Sequence, residues 1–105
     1  MMNYREQVQR VLAMHHANSE LGLAKSREQE DFVLYVGRVL TRNHIAFTWR
    51  LNADFDAEFR VNLGDLAHLR QIFDARQFQA DDTHSWVLSS NLLDGVEVRF
   101  ILETN

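Results

Sequence analysis

Two periods divide the chain. From Tyr4 to about residue 40 apolar residues recur every three or four positions, whereas beyond Ile45 most of them alternate with polar residues. Tyr4, Val8, Val11, Leu12 and His15 make one stripe, with Arg5, Glu6, Gln9, Arg10 and His16 elsewhere around the cylinder, which predicts an amphipathic helix over about residues 3–17. "ANSELGLAKS" follows as a polar loop containing Gly22. Ser26 and Gln29 then have the S-x-x-Q spacing of a capping box, so a second helix is expected to open near Arg27. It carries Phe32, Val33, Val36, Val39 and Leu40 on one stripe and stops near Asn43, and Gly37 beside that stripe would let another element come close.

At Phe47 the period becomes two. Phe47, Trp49 and Leu51 alternate with Thr48, Arg50 and Asn52, and Phe55, Ala57, Phe59 and Val61 alternate with Asp56, Glu58, Arg60 and Asn62, which is the pattern of a hairpin with one buried face. Asn62 and Asp65 start a third helix with Leu66, Leu69, Ile72 and Phe73 inward, ending near Arg76. After a polar connection, "QFQADDTH", come Trp86 and Leu88, a turn at "SSNLLDG", and Val96, Val98, Phe100 and Leu102 alternating with Glu97, Arg99, Ile101 and Glu103. The order ααββαββ predicts a single α+β domain over residues 1–105, with a four-stranded antiparallel sheet and the helices on its apolar face.

Composition adds boundaries. Hydrophobic residues at 46% and charged residues at 25% are ordinary for a self-folding domain, and the absence of cysteine removes disulfides, thiolate metal sites and cysteine nucleophiles. The N-terminal stretch has no uninterrupted apolar run of the kind a signal peptide or membrane span needs, so a cytoplasmic protein is expected. A net charge of −4 argues against general nucleic-acid binding, which draws on an excess of Lys and Arg.

The polar sheet face should present Arg50, Glu58, Arg60, Glu97, Arg99 and Glu103. The plain reading is a solvated face on which opposite charges pair across strands. The sharper one makes Arg50, Arg60 and Arg99 a patch that forks onto carboxylate or phosphate groups of a partner, with Glu58 beside them. A catalytic version would need Glu58 or Glu97 in a pocket that raises its pKa, and an open sheet face offers none. Leu34 and Ile101 point away from the expected core and are the candidate apolar anchors of a protein partner or of a homodimer.

Metal and nucleophile patterns are incomplete. Asn52, Asp54, Asp56 and Glu58 have the spacing that opens a calcium loop, but Ala57 and Leu63 replace its glycine and its bidentate glutamate. Asp81, Asp82 and His84 offer donors that would need His15 or His16 to complete a site, and Ser85, Ser89 and Ser90 lack a nucleophile elbow. No cofactor, metal or catalytic residue is assigned. The leading expectation is a non-catalytic binding or regulatory protein, an inhibitor, immunity or accessory factor acting through protein contact. One rival is a small-ligand protein or enzyme with Arg50, Glu58, Arg60 and His15 between sheet and helices. The other is a nucleic-acid binder using the sheet arginines. The parity itself is testable: Phe59→Ala should lower stability by about 3–5 kcal/mol in denaturant unfolding, through lost burial and the cavity left behind.

Overall fold

A computed structural model describes residues 2–14 and 19–104. Helix α1 spans Tyr4–Met14 and helix α2 Ser19–Arg42; strands β1 (Phe47–Leu51) and β2 (Ala57–Asn62) follow, then a 3-10 turn at Leu63–Asp65 running into α3 (Leu66–Ile72), then β3 (Phe78–Ala80), β4 (Ser85–Ser89) and β5 (Glu97–Glu103). The strands form one sheet in the order β1-β2-β5-β4-β3. The α+β class and the helices over one apolar face agree with the sequence pattern. Strand number and direction do not.

Both differences have one cause. "QFQADDTH" contains β3, which is three residues long with only Phe78 buried, too short to display a period of two. Helix α3 carries the chain back across the apolar face, and β3, β4 and β5 then run as an antiparallel meander. Three strands after the crossover, rather than two, leave β5 pointing the same way as β2, so the central pair is parallel and the sheet is mixed.

The hairpin parity holds. Phe47 lies opposite Val61, Trp49 opposite Phe59 and Leu51 opposite Ala57, and Phe59 and Phe100 are no more than 1% exposed. Trp49 is only half-buried because β1 is an edge strand. The core continues through Val11 of α1, Val33, Val36 and Leu40 of α2, Leu69 of α3, and Phe73, which leaves α3 in an extended conformation and ends that helix before Arg76.

Helix α2 starts eight residues before the expected position, at Ser19 rather than Arg27. Gly22 is not a loop residue: a Cβ there would lie 2.6 and 2.7 Å from Cδ2 and Cζ of Phe55 and closer still to Cε2, so the bare helix surface makes room for that ring. Ser26 does not cap. Its hydroxyl donates to the Gly22 carbonyl at 2.7 Å within the helix, while the Gln29 amide donates to the Phe55 carbonyl at 2.6 Å. Lys25 pairs with Asp56 in the same turn. Phe55 itself has a φ of 63°, a left-handed conformation that an aromatic residue adopts only when its surroundings hold it. The close approach expected at Gly37 is ordinary contact, with Phe47 Cζ at 3.8 Å. At the other end of α2, His44 rather than Asn43 takes the left-handed conformation, and the Asn43 amide donates to the Val39 carbonyl.

Gly22→Ala should therefore destabilise by about 1–3 kcal/mol, the range for overpacking, although alanine is the better helix former. A double-mutant cycle with Phe55→Gly checks the cause, because removing the ring should abolish most of the alanine penalty.

Candidate functional site

On the polar sheet face, strand register decides which charges meet. Arg50 lies opposite Glu58 on β1 and β2, and its Nε donates to Glu58 Oε1 at 3.3 Å; Glu58 Oε2 also accepts from the Asn52 amide at 3.1 Å. Arg60 and Glu103, on the parallel strands β2 and β5, approach to 3.6 Å. Arg99 donates to Asp81 and to the Ser85 hydroxyl, and the bond to Asp81 is the main reason its pKa lies above the ordinary arginine value. Each of the three candidate arginines therefore has a carboxylate of this chain. Ile101 sits half-buried among them, with Arg60 and Ser85 as its neighbours in the register.

Arg50, Glu58 and Arg60 face away from the helices, so they do not line any space between helices and sheet. His15 and His16 lie outside the described residues. Asn52 Oδ1 accepts from the backbone N–H of Asp54 and Asp56, the arrangement of a hairpin turn, and Asp82 Oδ1 accepts from the His84 N–H at 2.8 Å. Among the described residues, no three histidine, aspartate or glutamate side chains gather to hold an ion. Three further ionisable groups depart from ordinary values: burial raises the Tyr4 phenol, and the side-chain hydrogen bond from Arg76 holds Asp74 at about 2 and raises Arg76 in turn.

Apolar surface concentrates around α2. Its outer ridge exposes Leu34 and Tyr35, and a groove opens on either side. One groove, of about 470 Å³, runs between α2 and the loop joining β4 to β5, and is lined by Phe32, Tyr35, Phe73, Leu88, Leu92 and Leu93. Phe32 and Tyr35 stack along its helical wall, their rings 6.4 Å apart. The facing loop is held by Ser90, whose hydroxyl accepts from the N–H groups of Leu92 and Leu93, and this places Leu92 at 88% exposure on the rim.

The other groove, of about 370 Å³, lies between α2 and the β1 edge. Leu34, Gly37, Arg38 and Arg42 form one wall and Phe47 and Trp49 the other. Leu34 was visible to periodicity as an outward residue, whereas Tyr35, Leu92 and Leu93 were missed. Two leucines inside an otherwise polar turn, "SSNLLDG", were the available signal.

Comparison with protein-family models, with curated proteins and with solved structures finds no match to this chain.

The arginine side chains of the sheet-face pairs are between 35% and 54% exposed, and Glu58, the most covered carboxylate, keeps the Asn52 amide as a second donor, so the loss of any one pair should cost little. Arg50→Gln, Arg60→Gln and Arg99→Gln are each expected to change unfolding free energy by less than about 1 kcal/mol in urea titration. That tolerance allows the charged face to be removed without unfolding the protein.

Proposed function

We propose that the chain is a non-catalytic binding or regulatory domain that works in the cytoplasm through contact with another protein. The observation that carries this reading is the exposed apolar cluster of Tyr35, Leu92 and Leu93 around the groove beside Phe32. A leucine held in water on a rim forfeits about 1.5–3 kcal/mol that burial in a partner would recover. Aromatic and aliphatic anchors beside a shallow apolar depression, bordered by Asp31, Gln77 and Asn91, have the anatomy of a protein contact: an apolar centre and a polar rim. The partner this surface suits has an apolar cavity for Leu92 and a flat face against Tyr35.

The charged sheet face takes a lesser part, because Arg50, Arg60 and Arg99 would have to leave carboxylates they already hold. The same neutralisation weighs against nucleic acid, and among the described residues no helix is long and apolar enough to cross a membrane. A homodimer is the self-associating version of the proposal, with Leu34, on the ridge next to Tyr35, as its nearest anchor.

Affinity capture from the native host with the wild type, Leu92→Asp and the triple variant Arg50→Gln/Arg60→Gln/Arg99→Gln tests the reading, with light scattering beside it for self-association. A protein retained by the wild type and the triple variant but lost by Leu92→Asp is expected. Leu92→Asp should melt with the wild type, since exposed substitutions change stability by no more than about 0.5 kcal/mol. Retention by Leu92→Asp, with loss in the triple variant, would return the function to the charged face.

A further inference from the structure

Strand β1 closes one side of the sheet, and its outer edge is only partly covered. Antiparallel pairing alternates, so that residues bonded to the neighbouring strand are interleaved with residues whose N–H and C=O face outward. The N–H of Asn52 bonds to the Asp56 carbonyl, which places Arg50 and Thr48 in the bonded set and Phe47, Trp49 and Leu51 in the open set. Helix α1 covers the last of these: Gln7 Oε1 accepts from the Leu51 N–H at 3.3 Å, and Arg10 donates to the Leu51 carbonyl. No such cover extends to Phe47 and Trp49 among the described residues. An edge with open backbone groups at alternate residues is a template for an added strand.

Beside that edge lies the groove walled by Leu34, Gly37, Arg38 and Arg42. Side chains on one face of an added strand would enter it. Gly37 keeps the wall low, and Leu34, Phe47 and Trp49 make its surface apolar. Arg38 and Arg42 are exposed and have no carboxylate partner among the described residues, in contrast to Arg50, Arg60 and Arg99 on the sheet face. The end of α2 favours a cation at Arg42 in its last turn, but that effect fades within a turn and does not account for Arg38.

We propose that the β1 edge binds an extended acidic segment of another protein by strand addition. The segment's backbone pairs with Phe47 and Trp49, an apolar side chain packs against Leu34 and Trp49, and a carboxylate two residues along meets Arg38 or Arg42. The Gln7 and Arg10 side chains end the pairing at Leu51, which fixes the segment's register at one end. This site is separate from the groove at Leu92 and does not require that surface to function.

The test uses a blocked peptide in which valine and glutamate alternate along one face and threonine fills the other. Two companions accompany it: one with lysine for glutamate, and one with its pairing-edge amides N-methylated. Binding is followed by tryptophan fluorescence and by amide NMR shifts of Phe47 and Trp49. The glutamate peptide should bind, with the Phe47 and Trp49 amides shifting, and both companions should bind at least about tenfold more weakly. Arg38→Glu/Arg42→Glu, both exposed and so compatible with folding, should invert the preference to the lysine peptide. Leu92→Asp should leave peptide binding unchanged, so that failure here is distinct from failure of the Leu92 surface. Absence of binding, equal binding of the glutamate and lysine peptides, or full binding of the N-methylated peptide would each overturn the proposal.

Discussion

Trp49, Phe59, Phe100 and Trp86 stand in one row across β1, β2, β5 and β4, each opposite the next in the strand register. The Phe59 and Phe100 rings are 5.6 Å apart and stacked, Trp49 lies 6.2 Å from Phe59, and Phe78 of β3 meets Phe100 edge-on at 5.5 Å. Each such pair contributes about 0.5–1.5 kcal/mol beyond its buried area, but the row matters more for register than for energy. A slip of one residue in any strand would turn its ring to the charged face and bring an arginine or glutamate under the helices. The ion pairs on the far side depend on the same alignment, since Arg50 meets Glu58 only because Trp49 meets Phe59.

This row also explains which parts of the fold were legible in the sequence. Alternation around Phe59 and Phe100 marks their strands and buried parity without reference to anything distant. Helix α2 was misplaced at its start because Gly22 looks like a breaker until Phe55, far along the chain, is seen to occupy the space above it. Ser26 and Gln29 fit a cap by spacing, yet their partners are the Gly22 carbonyl, one turn back in a helix already under way, and the Phe55 carbonyl in the turn between β1 and β2. Strand β3 carries a single buried apolar residue, Phe78, and without that strand the direction of β5 is reversed.

The candidate surfaces were less legible for a different reason. Sequence locates Arg50, Arg60 and Arg99 on a face, but whether a charge is free depends on what lies across from it, and all three are occupied. Arg38 and Arg42 read as ordinary helix-surface residues in the sequence, and only the fold shows them beside an open strand edge with no carboxylate partner among the described residues. Leu92 is similar: its residue type suggests burial, and its place on a loop held by the Ser90 hydroxyl keeps it outside.

The parallel pairing of β2 with β5 has a consequence for the order of assembly. β5 is the middle strand of the sheet and the last to appear along the chain, so a nascent chain that has reached the β4–β5 loop holds two separate halves, β1-β2 and β3-β4, with no strand to join them. Each half then presents its aromatic residues and an unpaired inner edge to solvent, and helix α3 has only half a floor beneath it. Contacts so distant in sequence close slowly and leave such intermediates prone to aggregate. The growing chain is most vulnerable just before β5 emerges, and a holdase acting on it would meet the inner edges of β2 and β4, which β5 covers in the folded sheet.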